Sequence, residues 1–180
     1  MLTASLASST YVDTAGDDTF GNVTGTLSTS DRDTQSETAT YSIVGQSTGS
    51  YTVGSNSYDR QVVGTYGTLY LSSTSGAYEF VADRAAVNAR LTDTSESYTL
   101  TVTDKGGLTD TKSFTVNVTA ANDTPALTAT VTSTTLVDTS AEDAFSNVTG
   151  SLSTADRDTQ SETATYSVAL GTTSQTSGSY

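Results

Sequence analysis

Residues 98–118 read YTLTVTDKGGLTDTKSFTVNV and carry the clearest fold signal in the chain. Apolar and polar side chains alternate in both halves of this stretch, and the apolar positions are Tyr98, Leu100, Val102, Phe114, Val116 and Val118. Alternate side chains share one face of a strand, so each half predicts a β-strand with one buried face. Residues 104–107 (DKGG) predict a hairpin turn between the two strands, because glycine tolerates positive φ.

The same alternation extends towards the N-terminus. It predicts strands over residues 2–6, 22–28, 38–44 and 68–71, and another strand around Tyr78 and Phe80. Residues 84–91 (RAAVNARL) predict one short helical turn with Asp83 as its N-cap. Tyr51, Tyr58 and Tyr66 fall in a Gly- and Ser-rich region that predicts a loop, where they would be free to contact a partner. Seven or eight strands separated by frequent turns predict an all-β fold, an antiparallel β-sandwich.

The chain also repeats itself. Residues 2–44 align with residues 127–169 at 29 of 43 positions, and residues 31–42 return unchanged as 156–167. Such a long period indicates a tandem array of folded units. The only proline, Pro125, follows the last strong strand, so we place a complete repeat at 2–121, a linker at 122–126 and the N-terminal part of a second repeat at 127–180. This part holds three predicted strands and half a core. We therefore expect it to be poorly ordered alone or to be completed by another chain, for example by self-association.

Composition excludes several classes of function. The formal net charge of −13 disfavours binding to nucleic acid or to anionic membranes. The chain has no His, which argues against zinc sites and imidazole catalysis, and no Cys, so it has no disulfides. No stretch is apolar enough for membrane insertion, and the N-terminus does not read as a signal peptide. We expect a protein that is not an enzyme, with any export signal outside this sequence.

Acidic residues concentrate in the predicted loops. They are Asp17, Asp18, Asp31, Asp33, Asp83, Asp104, Asp123, Glu142, Asp143, Asp156 and Asp158, and Asn122 lies beside Asp123. The D-x-D pairs at 31–33 and 156–158 would turn two carboxylates to one side of an extended loop. Such oxygen donors suit Ca²⁺, although Asp also favours turns without any ion. Spacing alone leaves both readings open.

Residues 25–33 (GTLSTSDRD) and 40–43 (TYSI) resemble the G-x-L-x-x-x-D-x-D and T-Y-S stretch of bacterial cadherin-like and VCBS repeats. The resemblance continues through residues 64–69 (GTYGTL), 76–80 (GAYEF), 85–91 (AAVNARL), 98–107 (YTLTVTDKGG) and 122–125 (NDTP). Members of this family are modules of large secreted adhesins, commonly exported by type I secretion, that act in surface attachment and biofilms. The resemblance therefore implies an Ig/cadherin-like sandwich, an extracellular or cell-surface location and a structural extender role.

The resemblance also implies Ca²⁺ held between neighbouring repeats. The ligands carried over to this junction are Asp17 or Asp18, Asp83, Asn122, Asp123, Asp156 and Asp158. Asp104, Asp31 and Asp33 would serve a junction with a preceding repeat, and Glu142 and Asp143 repeat the positions of Asp17 and Asp18. Ala120 and Ala85 stand where animal cadherins have further acidic residues, so the number of ions per junction stays open. The alternative function is a repeat that itself binds a glycan or protein ligand.

Overall fold

The computed structural model describes residues 1–5, 7–30, 39–131, 133–158 and 163–172. The chain divides into two compact units between Thr124 and Pro125, and the segment that begins at Asp156 groups with the first unit. The predicted division into repeat, linker and second repeat stays a prediction.

The described part of the first unit consists of two β-sheets and one short helix. Its strands are β1 (Leu2–Ala4), β2 (Ser8–Val12), β3 (Val23–Thr29), β4 (Thr40–Ile43), β5 (Ser47–Val53), β6 (Asn56–Val63), β7 (Gly67–Leu71), β8 (Ala77–Ala82), β9 (Thr94–Thr103) and β10 (Thr109–Thr119), and the helix is α1 (Arg84–Asn88). One sheet has the strand order β1-β3-β8-β7-β6-β5 and the other has the order β2-β10-β9-β4. The predicted all-β antiparallel sandwich is confirmed.

The strand order is that of an immunoglobulin-like sandwich with two additions. Strands β1, β3, β8 and β7 correspond to the A-B-E-D sheet, and β4, β9 and β10 correspond to C-F-G. The N-terminal segment changes sheets, because β1 pairs antiparallel with β3 whereas β2 pairs parallel with β10. The hairpin β5–β6 extends the first sheet beyond β7. These additions give ten strands in the described part of the first unit, against the seven or eight expected.

The hairpin β5–β6 corrects the predicted loop. Tyr51 lies in β5 and Tyr58 in β6, and Tyr58 and Tyr66 are both buried. The turn between the strands contains Gly54 at φ +58°, a value that favours glycine. Because β5 is mostly exposed and rich in Ser and Thr, it lacks the apolar alternation that marks the other strands.

The core lies between the two sheets and is built from the alternating residues. Phe80 contacts Tyr98 and Phe114 at ring-centroid distances of 5.8 and 6.0 Å, which joins β8 of one sheet to β9 and β10 of the other. Gly25 on β3 faces the Tyr78 ring on β8, and a Cβ built at Gly25 would lie 2.2 Å from the phenol oxygen. The ring therefore occupies the space that any larger residue would need.

Local signals at α1 and at the β9–β10 turn behave as the sequence predicts. Asp83 is the N-cap of α1, and its Oδ1 accepts hydrogen bonds from the backbone N–H groups of Ala85 and Ala86. Asp104 Oδ1 accepts from the backbone N–H of Leu108 at 2.7 Å, and Gly107 has φ +87°.

The second unit contains strands β11 (Ala126–Ala129) and β12 (Leu152–Ala155), which pair antiparallel. Three strands were expected in this unit. β11 and β12 are two of them, but the described residues 163–172, where the third was expected, contain no strand. Their counterpart in the first unit, β4, pairs only with β9. No strand in the described part of the second unit plays the role of β9, so the third strand has no partner.

Candidate metal centre

Carboxylates gather where β2 and β10 end. The two strands run parallel, with Val12 opposite Thr119, so their C-terminal ends reach the same edge. Asp13 follows β2 directly, and its backbone N–H donates to the Thr119 carbonyl at 2.9 Å. The chain leaving β10 then returns to Asp13, whose Oδ2 accepts from the Ala121 N–H at 3.3 Å. This turn carries Asn122 and Asp123 to the same end.

Asp123 and Asp158 are the most enclosed members of the group. The Asp123 side chain is fully buried, and its backbone N–H donates to Asp158 Oδ2 at 2.6 Å. Asp158 is itself buried, and its backbone N–H donates to Asp156 Oδ1 at 3.1 Å. Asp156 remains exposed. The D-x-D pair was expected to turn both carboxylates to one side. In the structure the Asp158 side chain is buried, whereas the exposed Asp156 carboxylate accepts a hydrogen bond from the Asp158 backbone N–H.

Several buried carboxylate oxygens in this group accept no hydrogen bond. They are both side-chain oxygens of Asp123, Oδ1 of Asp13 and Oδ1 of Asp158. The only cation near Asp123 in the described residues is Arg157, whose Nη1 lies 4.0 Å from Asp123 Oδ1. Buried charges are normally paired and hydrogen-bonded, but here one distant guanidinium faces four buried oxygens that accept no hydrogen bond.

The electrostatics of the group agree with this geometry. Burial raises the pKa of Asp123, and the charges of Asp158, Asp156 and Asp18 raise it further, while Arg157 lowers it. Burial also raises the pKa of Asp13, against the Ala121 N–H, which lowers it. Burial first, and the charges of neighbouring carboxylates second, therefore disfavour ionisation of Asp13 and Asp123.

Asp17 and Asp18 border the buried carboxylates on the helix side. Asp17 Oδ2 pairs with Arg84 at 2.6 Å and with Arg157 at 3.4 Å, and its side chain is half-exposed. The Asp18 carbonyl accepts from Arg84 Nε at 2.6 Å and from Asn88 at 3.0 Å, which ties the loop to α1. Asp93, whose Oδ1 accepts from the Ala120 N–H at 2.8 Å, also lies at this end of the first unit. Six further carboxylates share the end with two guanidinium groups, Arg84 and Arg157. The carboxylates are Asp13, Asp17, Asp18, Asp123, Asp156 and Asp158.

The other predicted ligands that the structure describes are not among these carboxylates. Asp83 Oδ1 is occupied by the cap of α1. Asp104 follows the other end of β9, a ten-residue strand that spans about 30 Å. Glu142 and Asp143 belong to the second unit. Asn122 is exposed, and its side chain donates to the Asp123 carbonyl at 3.2 Å. Asp31 and Asp33 lie outside the described residues.

Sequence reasoning missed Asp13. Its signal was available, since Asp13-Thr14 directly follows a β-branched residue and returns as Asp138-Thr139 in the second copy. The acidic pair at 17–18 is more conspicuous, and only the parallel pairing of β2 with β10 shows that Asp13 is the residue facing the linker.

No three acidic side chains in the described part of the chain are already arranged to hold one metal ion in common. The group therefore offers separate buried oxygens and not a closed set of ligands. A scan against protein-family models finds no family that matches this chain, and a search of curated proteins finds no match. Among the described residues, no helix has the length and apolar character needed to cross a bilayer.

Proposed function

We propose that the chain is a structural extender repeat of a large bacterial surface adhesin, stiffened by Ca²⁺ at the junctions between repeats. The observation that carries the proposal is Asp123, a fully buried carboxylate with no hydrogen bond to either oxygen, surrounded by other carboxylates. Tandem repetition and the absence of Cys support a rod-like extracellular role in which ions replace disulfide cross-links.

The donor set fits Ca²⁺ better than other common ions. All the candidate ligands are oxygens, the ligand type that Ca²⁺ prefers, and the absence of His and Cys removes the usual ligands of zinc and copper. Asp13, Asp123 and Asp158 would hold the ion, with Asp17, Asp18 or Asp156 at its edge. The ion would supply the positive charge that their buried oxygens lack.

The sequence origin of these residues explains why an ion here would stiffen an array. Asp13 comes from the first repeat, Asp123 from the predicted linker, and Asp158 from the D-x-D pair of the second copy. An ion bound by all three would restrict the linker. At free Ca²⁺ of about 100 times Kd, it would stabilise the bound form by about 2.7 kcal/mol. Bacterial cell-surface repeats would meet Ca²⁺ at concentrations suited to sites of about 10⁻⁴–10⁻³ M.

Calorimetric titration of the EDTA-treated chain with Ca²⁺, and with Mg²⁺ as the comparison, tests this proposal. We expect Ca²⁺ to bind and to raise Tm, with a weaker response to Mg²⁺. Arg157→Gln removes the only cation near Asp123 in the described residues, so it should tighten Ca²⁺ binding a few-fold, by about 0.2–1 kcal/mol for a half-exposed ion pair. Lys112→Gln, an equal change in net charge on β10, is the control. The proposal would be overturned if extracellular concentrations of Ca²⁺ produced no heat of binding and no change in Tm.

A second candidate function is binding of a glycan or protein ligand by the repeat itself. A cleft of about 430 Å³ lies beside the carboxylates and is lined by Asp17, Arg84, Ala85, Asn88, Ala89 and Arg157. The buried Asn88 Oδ1 accepts no hydrogen bond and would suit a polar ligand. None of the six lining residues provides the aromatic platform typical of sugar sites. Retention of a glycan on an array by the Ca²⁺-free chain would favour this function.

A further inference from the structure

The second unit reproduces the start of the first unit in detail. In the first unit, Leu2 lies opposite Thr29 and Ala4 opposite Leu27. In the second unit, Leu127 lies opposite Thr154 and Ala129 opposite Leu152, which is the same register displaced by the repeat period. The pairing of β11 with β12 is thus the pairing of β1 with β3, formed again from the repeated sequence.

Burial differs sharply between the two copies. Leu2 and Leu27 are 0% and 3% exposed, whereas their counterparts Leu127 and Leu152 are 63% and 40% exposed. Tyr41 and Ile43 are 7% and 2% exposed, whereas Tyr166 and Val168 are 49% and 92% exposed. The second unit therefore presents to solvent the side chains that form half of the core in the first unit.

The first unit shows what covers these side chains. Every strand in its first half except β1 pairs with a strand from its second half: β3 with β8, β4 with β9, and β2 with β10. These partners all lie within residues 44–121.

We infer that the second unit is a docking surface for the second half of a repeat, a polypeptide with the chemistry of residues 44–121. The occupant inserts strands equivalent to β8, β9 and β10 beside β12 and residues 165–168. Its aromatic and β-branched side chains then cover Leu127, Leu152 and Tyr166, as the same halves do in the first unit.

A second copy of this chain cannot cover the second unit without exposing another apolar face, because first halves of the repeat outnumber second halves. Residues 1–180 contain two copies of the first half of a repeat and one copy of the second half. If residues 44–121 of one chain covered the second unit of another chain, they would leave their own first unit uncovered. Exchange between chains therefore leaves the number of exposed apolar faces unchanged. The occupant is therefore an additional second half, and the chain alone should stay monomeric.

The test adds a polypeptide of residues 44–121, diluted from urea, to the full chain and follows amide hydrogen exchange at residues 152–155 and 165–168. These amides report on the second unit alone. We expect a complex with one added polypeptide per chain and exchange slowed at least tenfold at both segments. The same segment fused genetically after residue 172 gives a second readout that does not depend on the solubility of the free polypeptide. Unchanged exchange in the fused protein would overturn the inference. Protection of these amides in dimers of the chain alone would also overturn it.

Gly150→Ala distinguishes this docking from nonspecific coverage. Gly150 is the counterpart of Gly25, whose missing side chain leaves room for the Tyr78 ring. In the chain alone, a Cβ at Gly150 would lie 3.3 Å from Thr130 Oγ1 and Val131 Cβ. These exposed side chains need to shift by only a few tenths of an ångström, so the substitution should change the free chain little. It should weaken binding of the added polypeptide at least tenfold, because the incoming Tyr78 needs that space. Ser153→Ala, at the counterpart of the exposed Ser28, is the matched control and should bind normally. Equal binding by Gly150→Ala and Ser153→Ala would contradict the inference.

Discussion

Replacing Asp123 by Asn should have opposite effects on stability with and without Ca²⁺. Without a cation, the fully buried Asp123 carboxylate has no hydrogen bond to either oxygen and faces the charges of Asp158 and Asp156. An Asn side chain of nearly the same shape carries no charge and can donate N–H to a neighbouring carboxylate. The substitution should therefore stabilise the metal-free protein and remove the response to Ca²⁺.

The magnitude follows from the burial of the carboxylate. A buried polar group without partners costs about 1–3 kcal/mol, and a charged group costs more. Relief of that cost should raise the free energy of unfolding in EDTA by about 1–3 kcal/mol, or about 4–12 °C in Tm at about 4 °C per kcal/mol. With saturating Ca²⁺, the natural protein should gain about 2.7 kcal/mol at 100 times Kd, and the variant should gain almost none of it.

The pH dependence of unfolding gives a second check on whether Asp123→Asn stabilises the metal-free protein. The folded-state pKa of Asp123 is raised above its ordinary value of 3.8, chiefly by burial. The favourable contribution of the neutral carboxyl is thus fully present below pH 3.8 and is lost as the pH rises through the folded-state pKa. The advantage of Asp123→Asn in EDTA should be absent at low pH and complete at pH 7. Asp59, Glu79 and Asp110 have lowered pKa values and the opposite pH dependence, but they are common to both proteins and cancel in the difference.

Urea unfolding in EDTA and in Ca²⁺, at pH 3 to 7, measures each of these quantities. Asp138→Asn is the matched control, because Asp138 repeats the sequence context of Asp13 but lies exposed in the second unit. It should leave stability unchanged under both conditions. If Asp123→Asn destabilises the protein equally in EDTA and in Ca²⁺, the carboxylate is a structural acceptor and the reasoning about a cation is wrong.

Two further substitutions test the core of the first unit. Gly25→Ala should cost about 1–3 kcal/mol in urea unfolding, because its Cβ would lie 2.2 Å from the buried Tyr78 phenol, whereas Gly150→Ala should be neutral; equal losses would refute the packing argument. Glu79→Gln should cost about 1–3 kcal/mol, because the buried carboxylate accepts from Asn22, Asn56 and Tyr58 and an amide cannot accept from all three. Burial is the largest cause that raises the pKa of Tyr58 to about 12, and the hydrogen bond and charge of Glu79 raise it further. Glu79→Gln should therefore lower the pKa of Tyr58, measured by tyrosinate absorbance, and an unchanged pKa would show that Glu79 does not contribute.

Apolar alternation was sufficient to predict the strands that form the core. Residues 98–118 form β9, the turn at Gly107 and β10 as predicted, because their alternate side chains are buried between the sheets. Strands β2, β5 and β6 were not predicted. β2 and β5 are rich in Ser and Thr, largely exposed and at sheet edges, so pairing with β10 and β6 determines them more than side-chain burial does. β6 lies between β5 and β7, and its mostly half-buried polar side chains show no apolar alternation. Edge strands of this kind leave little trace in the hydrophobic pattern.

The candidate site could be predicted only in part, for a related reason. Sequence reasoning named Asp17, Asp18, Asp123 and Asp158, and the structure brings them to one end of the first unit. It assigned Asp104 to a junction with a preceding repeat, and the direction of β9 places Asp104 at the end opposite this group. Asp13 was omitted because its role depends on the parallel pairing of β2 with β10, a contact across more than 100 residues. Residue type identifies possible ligands, whereas strand order determines which of them meet.

The two copies of the repeat separate what the local sequence specifies from what the whole fold adds. The turn in which Asp18 accepts from the Thr14 N–H returns as Asp143 accepting from the Thr139 N–H, so this loop needs only its own residues. Asp138 nevertheless stays exposed while Asp13 is buried, because Asp13 is covered by the chain leaving β10 and the described second unit has no such strand. Buried carboxylates of this kind therefore form only where both halves of a repeat are present and a linker follows. If the proposed function is right, the number of Ca²⁺ sites should follow the number of completed repeats and not the number of copies of the acidic motif.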